Sequence, residues 1–230
     1  CNKIYIFINY IHQLSMSRFI KKKKEDIGLS PYALVFRGLK KMDKIFLSGM
    51  NVDLDQVREY EIKSDDQLLE LKNNKNVSWL NVDGLHDELR MEGLAAIFEI
   101  PVNIISDIMN PSLRPKVQEF DNGIFATIKI LSYNESTEQL SVENLSLIMI
   151  DHVLISFQEQ ETSLFEPIRE RIRKHKNKIR TSGSDYLAFT MLDIVVDNYI
   201  YIIGLLGEKI ENLEERMTNN PDKNLLEEIN

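Results

Sequence analysis

Apolar positions along this chain recur with two different periods, and the change falls near residue 160. Before it, short runs rich in β-branched and aromatic residues, punctuated by Gly, Asn and Asp, read as strands at 33–36, 58–63, 77–82, 124–133, Gln139–Ile150 and Val153–Gln158. Between them, 65–72, 86–97 and 102–109 carry helical spacing, with Asp83, Pro101 or Asn103 as start signals. Strands interleaved with helices predict an α/β (α+β) domain over 27–160, a mixed sheet covered by helices.

Beyond that point the period is helical. Leu187, Met191, Val195, Tyr199, Ile202, Leu206, Ile210, Leu213 and Met217 recur at steps of three and four, one stripe along a helix of about 30 residues. Phe165, Ile168, Ile172 and Ile179 draw a shorter stripe before it, and Ser182-Gly183-Ser184 supplies a turn and a cap. The pattern predicts that 161–230 is a helical hairpin whose long stripe faces other helices. Pro221 suits the first turn of a further helix, which would run into the chain end as the start of a truncated stalk. Residues 1–26 read as a lead-in, a solvated tail or a non-native start, with Met16 an alternative first residue.

Composition narrows the class. With 230 residues, 43% hydrophobic and 28% charged, the chain is long enough to bury a sizeable core. Its longest unbroken apolar runs, near residues 4–10 and 199–206, fall short of the roughly 20 residues a bilayer requires, so no span is expected. No secretory signal is expected either, which places the chain on the cytoplasmic side. A single cysteine excludes an internal disulfide, and the four scattered histidines form no zinc-ligand spacing; an enzyme is not expected.

Charge is divided sharply. Residues 185–230 hold ten acidic against three basic side chains, nearly all of the net −8, while 166–180 hold seven basic against two acidic. The basic helix at 169–180 keeps open a nucleic-acid or other soluble interaction module, which the overall acidity and the absence of aromatic interleaving oppose. A metal-dependent hydrolase would need clustered ligands that the sequence does not offer.

Several short motifs resemble one family. Leu113-Arg114-Pro115-Lys116-Val117-Gln118-Glu119-Phe120 is similar to the Arg-Pro-Lys-Val/Ile-Glu segment of CorA-type magnesium and cobalt transporters, and Ser78-Trp79-Leu80-Asn81-Val82 to their Trp-Ile-Asn strand. Leu145 to Ile150, 153–159, 165–173 and 185–197 resemble the same cytoplasmic half in the same order, so the likeness runs from about Gly28 to Asn230. It implies the cytoplasmic regulatory domain of a homopentameric divalent-cation channel at the inner membrane, reaching the bilayer only through C-terminal helices beyond this sequence. The zinc-transporter branch of the family is the alternative. The family's pore signature, Gly-Met-Asn, occurs here as Gly49-Met50-Asn51 but is set aside, since no apolar 20-mer precedes it.

The resemblance also implies a regulatory Mg²⁺ site between subunits, with Co²⁺ a further candidate ion. Asp107, in Ile105-Ser106-Asp107-Ile108, matches one acidic position of the family's Leu-Glu-Asp-Ile segment, while Ser106 replaces the other. Asp193 matches a carboxylate of the long helices, Asp197 matches less well, and a further aspartate would fall beyond Asn230. Each has a plainer reading: Asp107 as decoration of a helix end beside Asn110-Pro111, and Asp193 with Asp197 as a solvated helix edge. Arg114 and Lys116 are expected to brace a sheet-to-helix junction, and Trp79 to sit in the core.

Overall fold

The computed structural model describes Gly28, residues 34–53, 55–174 and 178–219. The strands are β1 (Phe46–Val52), β2 (Val57–Glu61), β3 (Val77–Asp83), β4 (Lys116–Phe120), β5 (Gly123–Asn134), β6 (Gln139–Ile150) and β7 (Val153–Gln158). The helices are α1 (Asp65–Asn73), α2 (Glu88–Phe98), α3 (Val102–Ile108), α4 (Glu166–Lys174), α5 (Lys178–Thr181) and α6 (Ser184–Asn219). All seven strands join one sheet in the order β2-β1-β3-β7-β6-β5-β4, antiparallel except for the central β3–β7 pair. That pair is covered on both faces, so β7 is buried at every position and β3 from Ser78 onward.

Alternation along the strands divides the core in two. On the first face, Leu80, Val82, Ile155 and Phe157 pack against Leu68 of α1, Met91 and Leu94 of α2, and Ile104 and Ile105 of α3. The second face sets Met50, Trp79, Leu145, Leu147 and Leu154 against Phe165, Ile168 and Ile172 of α4 and Leu187, Met191 and Val195 of α6. Local chemistry sets the ends of the elements. Gln67 accepts backbone hydrogen bonds from Lys63 and Ser64 before α1, and Asp87 accepts from the Arg90 N–H at the start of α2. Gly84, at φ +88°, lets the chain leave β3 sharply while its N–H donates to the Gln158 carbonyl. Arg180, buried within α5, donates to the Ile172 and Arg173 carbonyls, which close the end of α4.

The mixed sheet, its covering helices and the long helix agree with the expected fold class. Four details differ from the sequence reading. Of the strand expected at 33–36, residue 33 lies outside the described residues and 34–36 are not a strand: Leu34 and Phe36 lie against the first core, and the Arg37 N–H donates to the Met109 carbonyl. Strands β1 and β4 were not foreseen, and the Gly49-Met50-Asn51 triplet lies within β1, paired with β2 and β3. The stripe on α6 packs on the sheet beside α4, not on helices alone, and its burial ends at Ile202; Leu206, Ile210 and Met217 are exposed. Finally, 184–218 is long and apolar enough to cross a membrane by length and composition. Counting unbroken runs missed this because Asp193 and Asp197 interrupt them, yet Leu187, Met191 and Val195 bind the helix to the sheet. The lead-in at 1–26 and the helix expected after Pro221 lie outside the described residues.

Candidate functional site

Asp107 occupies the last turn of α3, which the isoleucines at 104, 105 and 108 seat on the first face of the sheet. Its Oδ2 lies 2.6 Å from Lys116 Nζ, a half-exposed pair that joins α3 to β4. Such pairs contribute at most about 1 kcal/mol, so an incoming cation can compete with the lysine. Ser106, at the position where the resembled segment has a second acid, is buried. Asp193 and Asp197 lie on the exposed side of α6, on the opposite face of the sheet from α3. One chain therefore does not bring Asp107 and Asp193 together. Among the described residues no cluster of three or more His, Cys, Asp or Glu is placed to hold a metal.

What surrounds Asp193 was not read from the sequence. Phe189, Val196, Ile203, Ile210 and Met217 follow one another at intervals of seven and are all exposed, as is Ile200 between them. Phe189, Val196, Ile200 and Ile203 form a second apolar seam beside the sheet-packed stripe, and the two run together at Ile210 and Met217. At 3.6 residues per turn Asp193 falls at the margin of this seam, beside Ile200, and Asp197 outside it. The signal was present in the sequence, as a strict heptad overlaid on the stripe that packs on the sheet.

The basic segment is mostly engaged within the chain. Arg173 bridges Glu59 and Glu166 at 2.8 and 2.5 Å, Lys174 pairs with Glu170 at 2.7 Å, and Arg180 is buried. The guanidinium of Arg169 lies over the Trp79 ring, 4.1 Å from its centroid. Few of these cations are free for a nucleic-acid backbone.

A polar network also runs through the second core, at the carboxyl ends of the parallel pair. Trp79 Nε1–H donates to Ser156 Oγ at 2.8 Å, and the Ser156 hydroxyl donates to Asn81 Oδ1 at 2.7 Å. Gln158 Nε2 donates to the same oxygen, and Asn81 Nδ2 donates to Asp83 Oδ2, both at 2.8 Å. Period-two spacing in β3 puts residues 79, 81 and 83 on one face, a signal that the reading of Trp79 as core did not extend to its polar neighbours.

Comparison with known proteins places this geometry. The sequence pattern of the CorA-like Mg²⁺ transporter protein family matches residues 74–230. The cobalt/magnesium transport protein CorA of Thermotoga maritima is 31% identical over 196 residues, 85% of this chain and 56% of that protein. The chain thus spans little more than half the length of that relative. Among solved structures, the soluble domain of CorA from Methanocaldococcus jannaschii superposes with a TM-score of 0.61 at 14% identity, covering 81% of this chain and 69% of that one. The ZntB cytoplasmic domain from Vibrio parahaemolyticus gives 0.51 at 15% identity, over 79% of this chain and 68% of that one. The chain belongs to the CorA-like Mg²⁺ transporter family.

Proposed function

We propose that this chain is the cytoplasmic regulatory part of a divalent-cation transporter, in which Mg²⁺ or Co²⁺ bound between subunits of a homopentamer favours the closed pore. The observation that carries the reading is exposed Asp193 at the edge of an exposed apolar seam, next to Phe189, Val196 and Ile200 on α6. Association of a second copy along that seam would remove a carboxylate from water, and a charge so desolvated is strongly disfavoured unless a counter-charge accompanies it. Mg²⁺ suits the place, because it binds through one or two carboxylates while keeping most of its waters. Asp107 of a neighbouring subunit supplies the second carboxylate in this scheme, and Asp197 stands at the edge of the site. Each chain offers two half-sites and no complete one.

Without the ion, two carboxylates about 4 Å apart repel by around 4 kcal/mol at an effective dielectric near 20, enough to bias a two-state assembly. The pore itself would come from sequence after Asn230. The ions are those named for the Thermotoga relative, and Zn²⁺ belongs in the same test because the resemblance leaves the zinc-transporter branch as the alternative. The test is thermal unfolding of the full-length protein with and without Mg²⁺, Co²⁺ or Zn²⁺, for the wild type and for Asp107→Asn with Asp193→Asn. The wild type gains stability as RT ln(1 + [L]/Kd) and the double variant loses most of that gain. Equal metal-induced shifts in the two proteins would remove both aspartates from the sensor.

A further inference from the structure

Asp83 closes β3 at the point where the two parallel strands end, the place in open sheets where ligands and chemistry collect. It is 2% exposed, yet no ion pair with a described residue holds it. Its Oδ2 accepts from Asn81 at 2.8 Å, and its Oδ1 lies 3.4 Å from Gln158 Nε2. On the same amide, Gln158 Oε1 is buried with no hydrogen-bond partner. The network thus contains an acceptor in want of a donor beside a carboxyl that, ionised, supplies only acceptors. A proton on Asp83 removes the buried charge and turns one carboxyl oxygen into a donor.

The charged groups that face Asp83 come from two elements. The loop after β7 brings Glu161, and α4 brings Arg169, with Glu166 and Arg173 on the wall of the same cleft of about 500 Å³. Strand β1 contributes Phe46 and Ser48, neither of which titrates in this range. Burial, reinforced by Glu161, pushes the Asp83 carboxyl up from 3.8 to about 6, against the opposing effects of Asn81 and Arg169.

We propose that Asp83 is a proton-operated latch between the sheet and α4. Protonated, it sits as a neutral group beside the Trp79–Ser156–Asn81–Gln158 network and leaves the Arg169 guanidinium on the Trp79 ring. When the proton is lost to the cleft, the buried carboxylate draws Arg169 from that ring. Because Arg169 shares α4 with Ile168 and Ile172, which pack in one core with Leu187 and Met191 of α6, the change reaches the long helix.

The sign follows from the raised value. A carboxyl that holds its proton more tightly when folded favours the fold fully below about pH 3.8, and that contribution is lost as pH rises through about 6.

Trp79 is the only tryptophan, so its emission reports on the latch directly. Titrating this chain from about pH 4 to about pH 8 should give a transition centred near pH 6. Asp83→Asn should abolish it and should raise the melting temperature relative to wild type more at the alkaline end than at the acid end. Glu161→Gln, which removes the neighbouring negative charge, should lower the midpoint, and Arg169→Gln should raise it, each by a few tenths to about one pH unit. A wild-type emission flat across the range, or an unchanged transition in Asp83→Asn, overturns the proposal. If Asp83→Asn fails to fold, midpoints unmoved by both Glu161→Gln and Arg169→Gln overturn it instead.

Discussion

The two halves of α6 carry one apolar spacing but meet different surroundings. From Ser184 to Ile202 the stripe sinks into the second core, where Leu187, Met191 and Val195 are sealed between the sheet and α4. From Ile203 onward the same spacing continues over solvent, and polar contacts to the β5–β6 hairpin cluster around the boundary, with Lys209 beyond it. Asn198 Nδ2 donates to the Leu131 carbonyl at 2.7 Å, and Tyr199 donates its hydroxyl to the Lys129 carbonyl. Tyr201 donates to Glu135 at 3.2 Å and Lys209 to Glu138 at 2.6 Å, from a hairpin turn pinned by Asn134 Oδ1. Periodicity decides which side of a helix is apolar; neighbouring backbone decides whether that side is buried.

Breaking the buried half has the largest expected effect. Met191→Ala removes a fully buried side chain and should cost about 2–5 kcal/mol in denaturant unfolding. At the boundary, Asn198→Ala deletes one hydrogen bond to a strand carbonyl and should cost about 0.5–1.5 kcal/mol by the same measurement. On the outer seam, Ile203→Ser should change the stability of the isolated chain by no more than about 0.5 kcal/mol. It should nevertheless weaken self-association of the full-length protein in sedimentation velocity, and unaltered assembly would show that the seam is not the interface. The smallest effect belongs to Lys209→Gln, an exposed pair already screened by water, which should leave the melting temperature unchanged.

The sequence made the inner strands legible and the outer pieces less so. Strands β6 and β7 read at their observed bounds because their apolar and β-branched runs have no competing signal. Strand β1 hid behind Ser48, Gly49 and Asn51, residues that read as loop, although Gly49 faces Leu71 and Tyr60 so closely that a larger side chain would crowd them. Lys116, Gln118 and Glu119 disguised β4 in the same way, because an edge strand need not be apolar. Of the candidate carboxylates, the sequence supplied identity and the helix each sits on. The opposite faces of Asp107 and Asp193, the Lys116 pair and the burial of Ser106 depend on how the sheet divides its two layers, which no local pattern records.

The overhang of α6 turns small rotations into large displacements. Ile202 is the last fully buried residue of the stripe, and the helix continues to Asn219, about 25 Å further at 1.5 Å per residue. A tilt of about 5° about the sheet contact would sweep the far end through about 2 Å, a distance comparable to a hydrogen bond. The hairpin tip resists that swing with the Glu138–Lys209 contact, a brace soft enough to yield. A displacement too slight to disturb the core therefore becomes a change of register at the tip, so α6 acts as a pointer that magnifies events at the sheet.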